Sequence, residues 1–147
     1  MNQNACRYCF DAPPPPEQFY ETKLFRVIVA RETFGDGHVI VIPKRHDPHF
    51  YSFTPDDIEE FGYLLKKVTF WAMRLTQAFG FTMLMNDGTP EQAQKDHLEI
   101  HILPRRPGDM KTAGVAQSVA QQLVTLDDAA VQKTVKDLQS LMQLPQA

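Results

Sequence analysis

The chain has 147 residues, of which 43% are hydrophobic and 22% charged, so it is long enough to bury the core of one ordinary domain. Its formal net charge is −3 and its pI is about 5.9, which argues against general binding to nucleic acid or to an anionic membrane. No apolar run approaches the ~20 residues of a membrane span, and the start lacks the pattern of a secretion signal. We therefore expect a cytoplasmic protein with neither nucleic acid nor membrane as a partner.

The two cysteines, Cys6 and Cys9, form a C-x-x-C pair. In a reducing compartment this spacing indicates metal ligation or a redox motif, whereas in a secreted chain it would allow a small disulfide. A thioredoxin-like pair should follow a strand and open a helix, and the residues before Cys6 supply no such strand. Half of a zinc site is the favoured interpretation.

A proline spacer, two strands and a long helix are predicted next. The run "DAPPPPEQ" favours a stiff, extended segment, and "KLFRVIVA" (23–30) and "HVIVIP" (38–43) predict β-strands. Thr54 as a cap, Pro55 at the first helical position and two following acids predict the start of a helix. Apolar residues at helical spacing continue to about Phe79, and Gly80 suits the helix end.

The second half of the chain contains a strand with alternating chemistry. After a predicted strand "FTMLMN" (81–86), "KDHLEIHILPRR" (95–106) places His97, Glu99 and His101 at every second position, with apolar residues between them. Such alternation predicts a half-buried strand whose polar face meets solvent or a site. A closing helix is predicted from Asp127 to Leu144. This order indicates an α+β fold, with an antiparallel sheet, one long helix and an additional C-terminal helix, in one domain spanning residues 1–147.

Two motifs in this order resemble the histidine triad (HIT) superfamily of nucleotide hydrolases and transferases. They are "GHVIVIPKRH" and, about fifty residues after its end, "HLEIHILPR". The family pattern is a Gly-His-hydrophobic-Pro-Lys strand and a later His-φ-His-φ-His-φ-φ strand, where φ is apolar. With "NDG" (86–88) and "LPRRPGD" (103–109), the resemblance covers about residues 6–110 and implies a HIT-like sheet. Residues 111–147 lie outside it as a C-terminal helical extension.

Three positions depart from the family pattern. Glu99 occupies the middle triad position, where the family places its nucleophilic histidine. The loop before the triad strand, which usually carries Gly-Gln-Ser or similar residues for phosphate, reads "PEQAQKD". Ala30 falls at the spacing of the acid or amide that usually holds the ribose.

The resemblance also implies a structural zinc ion bound by Cys6, Cys9, His46 and His97. Family members with the N-terminal cysteine pair combine it with the histidine after Pro-Lys and with the first triad histidine. Two thiolates neutralise Zn²⁺, and two neutral imidazoles complete a closed tetrahedral shell. The alternative is two buried thiols and two surface histidines.

The resemblance puts Glu99 in the catalytic position, aligns His101 near the substrate phosphate and gives Asn86 the spacing of the family's phosphate-binding Asn. His38, which could face the phosphate, and Gln94, which could replace the missing loop donors, are further candidates for substrate binding. Each of the substrate-binding residues has a structural alternative. Asn86 lies in a turn-forming sequence, His38 is also placed to cap its loop, and Gln94 belongs to a loop that need not bind anything.

Apolar residues at two places leave alternatives open. Phe25, Val27 and Phe34 would either wall a base pocket or belong to the core. The resemblance also implies a homodimer, to which large helix residues outside the main apolar stripe would contribute unless they only widen the core: Tyr63, Phe70, Trp71 and Met73.

The implied function is hydrolysis or nucleotidyl transfer at the α-phosphate of a nucleotide or nucleotide conjugate. Glu99 would activate water as a general base or attack phosphorus itself. A carboxylate ~4 Å from a phosphate oxygen costs on the order of 4 kcal/mol at an effective dielectric of 20, so a histidinium, an arginine or Mg²⁺ must offset the repulsion. The alternatives are a zinc-stabilised nucleotide-binding module without turnover, and a substrate that is not a nucleotide.

Overall fold

The computed structural model describes residues 6–47, 49–88, 97–108 and 123–145. Its strands are β1 Gln18–Glu21, β2 Phe25–Val29, β3 Glu32–Thr33, β4 Val39–Pro43, β5 Gly80–Asn86, β6 Glu99–Arg105 and β7 Val124–Thr125. Its helices are α1 Pro55–Thr76 and α2 Asp128–Met142, with a 3-10 turn at Phe50–Ser52. Five strands form one antiparallel sheet in the order β1-β2-β4-β6-β5, and β3 pairs with β7. The predicted α+β fold with two helices is confirmed.

The two faces of the large sheet have different surroundings. Opposed residues of neighbouring strands share a face, so Val27, Val41 and Ile100 lie together on the side that packs against α1. On the opposite side, Ile28 opposes Ile40, which in turn opposes His101. Here the apolar cluster contains residues of β2 and β4 and is covered by Tyr8. This second face carries the polar residues of β6.

Helix α1 begins where the sequence predicts and ends three residues early. The hydroxyl of Thr54 accepts a hydrogen bond from the Asp57 N–H, and the Asp57 carboxylate accepts one from the Thr54 N–H. The helix stops at Thr76, and Gln77 takes a left-handed conformation with φ 56°. The early stop follows from the sheet, because Gly80 already pairs with Arg105.

Helix α2 completes the core on the α1 side of the sheet. Asp127 caps it by accepting a hydrogen bond from the Ala130 N–H. Val131, Val135 and Leu138 are buried in the same apolar cluster as α1 and the central strands. The helix predicted from Asp127 to Leu144 is therefore present, with slightly shorter bounds. In the described residues, neither helix combines the length and the apolar character needed to cross a bilayer.

Candidate functional site

Strand β6 separates core residues from polar residues by alternation. Ile100 and Ile102 are buried on the helix side, whereas Glu99 and His101 share the other face with Ile28 and Ile40. Nε2 of His101 lies 3.3 Å from Oε2 of Glu99. The Glu99 side chain is almost fully buried and that of His101 is partly exposed. The sequence prediction that these two residues lie side by side is consistent with this geometry.

His38 lies behind His101 and holds it by a hydrogen bond. Nδ1 of His38 accepts a hydrogen bond from the backbone N–H of Phe34, at 3.3 Å. Burial, followed by the neighbouring His101, lowers the pKa of His38 to about 3, against the opposing effect of Glu99. His38 is therefore neutral at pH 7 with its proton on Nε2, which donates to Nδ1 of His101 at 2.9 Å. His101 then carries its proton on Nε2 and presents it to Glu99.

The local backbone explains why His38 can lie so deep. Gly37 precedes it with φ 75°, and a Cβ at this position would lie 2.6 Å from Cγ2 of Thr76. Glycine therefore lets the turn before β4 close against the end of α1. The imidazole of His38 stacks on Phe34, with 5.4 Å between ring centroids.

The predicted substrate-binding residues occupy different surroundings. Asn86 opposes Glu99 across the β5–β6 pair and is exposed, so the two side chains project from the same face of the sheet. His38 is buried and reaches the site through His101. Gln94 lies outside the described residues. The substrate roles of Asn86, His38 and Gln94 stay predictions.

The four residues predicted to bind zinc come together. One possible ligand atom from each of Cys6, Cys9, His46 and His97 can be chosen so that all four lie within 4.8 Å of one another. Sγ of Cys6 is 3.1 Å from Nδ1 of His97, and Sγ of Cys9 is 3.3 Å from Nδ1 of His46. Tetrahedral zinc with bonds of about 2.0–2.3 Å requires ligand separations of about 3.3–3.8 Å. The cluster is thus close to the size that zinc needs.

Contacts around the cluster favour metal ligation. Nε2 of His97 lies within hydrogen-bond distance of the Pro43 carbonyl, which can only accept. The imidazole therefore carries its proton on Nε2, and its unprotonated Nδ1 faces Cys6. Arg26 holds the cysteine segment on the sheet by donating to the carbonyls of Tyr8, Cys9 and Ala12. The residues therefore fit a zinc ion, with the unprotonated histidine nitrogen on the correct side.

The cysteine segment also lines a cavity of about 350 Å³ beside Glu99 and His101. Arg7 and Tyr8, the two residues between the cysteines, face it together with Glu99 and His101. Ile28 and Ile40 provide an apolar floor, and Phe34 contributes a wall. Phe25 and Val27 belong to the core on the opposite side of the sheet, so of the three candidates for a base pocket only Phe34 lines this cavity.

Sequence reasoning missed Arg7, Tyr8, Glu17 and Arg31, all of which line the cavity. The C-x-x-C motif contained a signal for the first two, because residues between two metal ligands must lie close to the metal site. Glu17 and Arg31 carried no local signal. They meet because the Val29 N–H donates to the Glu17 carbonyl beside the end of β2.

The sequence model of the HIT domain family matches residues 14–108. The chain belongs to the HIT family. A bifunctional bis(5'-adenosyl)-triphosphatase/adenylylsulfatase of Arabidopsis thaliana is 32% identical over 97 residues, which are 66% of this chain and 54% of that protein. The chain spans about half the length of this HIT relative.

Solved HIT structures show the same fold. The Plasmodium falciparum diadenosine triphosphate hydrolase superposes with a TM-score of 0.72 at 16% identity, covering 92% of this chain and 82% of that chain. A zinc-bound histidine triad family protein of Mycobacterium smegmatis gives a TM-score of 0.57 at 23% identity, covering 86% and 88%. The HIT resemblance inferred from the two motifs is therefore confirmed.

Proposed function

We propose that this protein is a HIT-type hydrolase or nucleotidyl transferase that acts at the α-phosphate of a nucleotide-like substrate. The observation that carries the proposal is the contact between His101 and Glu99 at the edge of a cavity with an apolar floor. The Arabidopsis and Plasmodium relatives are named for hydrolysis of dinucleoside triphosphates, which supports a nucleotide phosphoanhydride as substrate. The nucleobase of the substrate would lie over Ile28 and Ile40, and its α-phosphate would lie beside His101.

Glu99 acts as a general base in this mechanism. Its carboxylate takes a proton from water as the water oxygen attacks the α-phosphorus. The bond from the α-phosphorus to the leaving group breaks, the leaving group departs with the bonding electrons, and the nucleoside monophosphate is the second product. His101 contacts the carboxylate, and Asn86 opposes Glu99 on the neighbouring strand β5, from which its amide can donate to a phosphate oxygen. Arg7 and Arg31 line the same cavity at the end away from His101, and at that distance their positive charge offsets only part of the repulsion between Glu99 and the phosphate.

A structural zinc ion bound by Cys6, Cys9, His46 and His97 belongs to the same proposal. The separations among the four ligand atoms support it, as does the zinc-bound relative from Mycobacterium smegmatis. Zinc would fix the fold of the segment that carries Arg7 and Tyr8, while the chain's own residues perform the reaction.

One observation favours a second candidate, a nucleotide-binding module without turnover. Glu99 stands where the family uses a histidine nucleophile, and a buried carboxylate repels phosphate unless cations offset it. In this case the zinc cluster and the cavity would be retained for binding alone.

Incubation with dinucleoside polyphosphates, nucleoside phosphoramidates and nucleotide sugars, with and without Mg²⁺, tests the two candidates. Released nucleoside monophosphate, resolved by chromatography, supports the enzyme, and a requirement for Mg²⁺ would show that the arginines alone do not offset Glu99. Calorimetric titration with AMP is done in parallel. Binding without any product supports the module, and neither binding nor product excludes both.

We also propose that two copies form a homodimer through β5. This strand is at an edge of the sheet in the described structure, and Phe79, Phe81 and Met83 are exposed there, Phe79 at 91%. On α1, Tyr63 is 67% exposed, whereas Trp71 is buried against Tyr20 and is excluded from a surface face. Light scattering should give twice the chain mass, and Phe81→Glu should give a monomer. A wild-type monomer at micromolar concentration contradicts the proposal.

A further inference from the structure

A buried carboxylate brings two guanidinium groups together on the rim of the cavity. The Glu17 side chain is 4% exposed, and its two oxygens receive Arg7 and Arg31, the latter at 3.0 Å. Burial acts to raise the pKa of Glu17, but its backbone hydrogen bond and the two arginines outweigh this and lower it. Glu17 is therefore a charged anchor for both side chains.

The two arginines carry more positive charge than the anchor neutralises. One carboxylate is shared by two guanidinium groups, and the side chain of Arg7 stays 52% exposed. Arg31 has a second partner, Asp128 at 2.8 Å, but that carboxylate is 90% exposed and strongly hydrated. Glu32, also exposed, lines the same cavity. A guanidinium has five N–H donors in a fixed fork. Arg31 also donates to the Leu126 carbonyl and uses most of its donors, whereas the contact of Arg7 with Glu17 goes through one terminal nitrogen and leaves donors for a further anion.

The position of the pair sets the distance to the catalytic residues. Arg31 follows β2, and β4 lies between β2 and the β6 strand of His101. Ile28 is in register with Ile40 and His101, and Arg31 lies three residues beyond Ile28. Two strand spacings of about 4.8 Å across the sheet and about 10 Å along it place the Cα atoms of Arg31 and His101 about 14 Å apart. The apolar floor of Ile28 and Ile40 lies between them. This arrangement is charged at both ends and apolar in the middle. Ala30, at the spacing where the resemblance places an acid or amide for ribose, is buried in the apolar cluster next to Arg31.

We propose that Arg7 and Arg31 bind a second anionic group on the substrate, at the sugar or base end of the nucleotide. The inference rests on the proposed function, because the first anionic group is the phosphate beside His101. The substrate class is thus a nucleotide that carries an additional phosphate, sulfate or carboxylate away from its 5'-phosphate. Bidentate contacts of guanidinium groups with such anions are stronger than neutral hydrogen bonds.

Calorimetric titration of the full chain with four probes tests this inference. AMP is compared with adenosine 3',5'-bisphosphate and adenosine 2',5'-bisphosphate, which add charge at the sugar, and with N6-succinyl-AMP, which adds charge at the base. At least one of the last three should bind about tenfold more tightly than AMP, equivalent to about 1.4 kcal/mol. The probe that does so identifies the end of the nucleotide that meets the arginines.

Variants assign any preference to the two arginines. Arg7→Gln and Arg31→Gln should each reduce the ratio between the affinities for the preferred probe and for AMP, while Lys133→Gln, which removes an exposed positive charge on α2, should leave that ratio unchanged. Asp128→Asn removes the competing carboxylate from Arg31 and should raise the ratio.

Two results overturn the inference in distinguishable ways. If AMP binds and no probe with a second anion binds more tightly, the anion site is wrong and the proposed function stands. If none of the four probes binds, the proposed function fails and the inference fails with it. A preference that survives both arginine substitutions also contradicts the inference.

Discussion

His38 donates its Nε2 proton to Nδ1 of His101, and the direction of this bond is fixed by the backbone N–H of Phe34. A backbone N–H can only donate, so Nδ1 of His38 must accept and its Nε2 must carry the proton. The same logic passes to His101, whose Nε2–H is turned toward Glu99. A main-chain group in the turn before β4 thereby sets the orientation of a hydrogen bond at the candidate catalytic carboxylate.

The depressed pKa of His38 predicts a pH dependence of folding. Above pH 6.5 the imidazole is neutral in both states. As the pH falls from 6.5 toward about 3, the unfolded chain binds a proton that folded His38 does not, so stability falls. The contribution approaches about 1.4 kcal/mol per pH unit. The free energy of unfolding, measured with urea between pH 4 and 7, should change with pH at this slope. His38→Gln should remove the part of the slope that comes from His38. His49→Gln, which changes a histidine at the surface beside Asp87, is the control. An unchanged slope in His38→Gln contradicts the prediction.

Substitution of Glu99 separates general-base catalysis from simple binding. Glu99→Gln keeps size and hydrogen bonding but removes the base, so turnover should fall at least about 100-fold. AMP should bind more tightly, because the repulsion of phosphate is relieved. Initial rates and calorimetric titration measure the two effects. Glu59→Gln removes an exposed carboxylate on α1 and should change neither.

A second substitution at position 99 identifies the chemistry. Glu99→His should restore a family-like triad between His97 and His101, and a nucleotidyl-histidine should then be trapped and detected by mass spectrometry. Equal turnover in the wild type and in Glu99→Gln would show that the carboxylate is a bystander.

Removal of the metal should destabilise the protein and disturb the cavity together. Chelation of zinc releases Cys6, Cys9, His46 and His97, so the melting temperature should fall and AMP affinity should decrease, because Arg7 and Tyr8 lie between the released cysteines. Elemental analysis should find one zinc per chain in the wild type. His46→Gln should reduce this content and His49→Gln should not. A metal-free protein whose melting temperature ignores chelator refutes the zinc site.

The C-terminal helix should be part of the cooperative fold. Leu138 is completely buried in the main core, so Leu138→Ala should lower the free energy of unfolding by about 2–5 kcal/mol. Gln139→Ala changes the adjacent exposed residue and serves as the control. Denaturant unfolding followed by tryptophan fluorescence reports on Trp71, and a single transition that shifts as a whole is expected. A shift of a separate phase would show that residues 111–147 fold independently of residues 6–110.

The predictable parts of this molecule are those encoded by local patterns. Each of three such patterns lies within a few neighbouring residues and is present in the structure: the alternation around Glu99, the Thr54 cap and the apolar spacing of α2. Of the four predicted zinc ligands, Cys6 and Cys9 are indicated by their spacing, whereas His46 and His97 are implied only by the family motifs; the structure brings the four residues together. The β1 strand and the Glu17 anchor were missed. Both depend on hairpin pairing with the neighbouring strand β2, and a strand of four residues is too short to show a clear alternation in the sequence.

Arg31 joins two parts of the chain with different relations to the family. Its guanidinium bonds Glu17, within residues 14–108, and also the Leu126 carbonyl and Asp128, which lie beyond that match. Changes in the C-terminal segment can therefore move or release Arg31 without touching strand β6. On our proposal, substitutions in residues 123–145 can change the preference for a second anion during evolution, while Glu99 and His101 keep their geometry. Ligand choice and reaction chemistry would then be inherited in separate stretches of one chain.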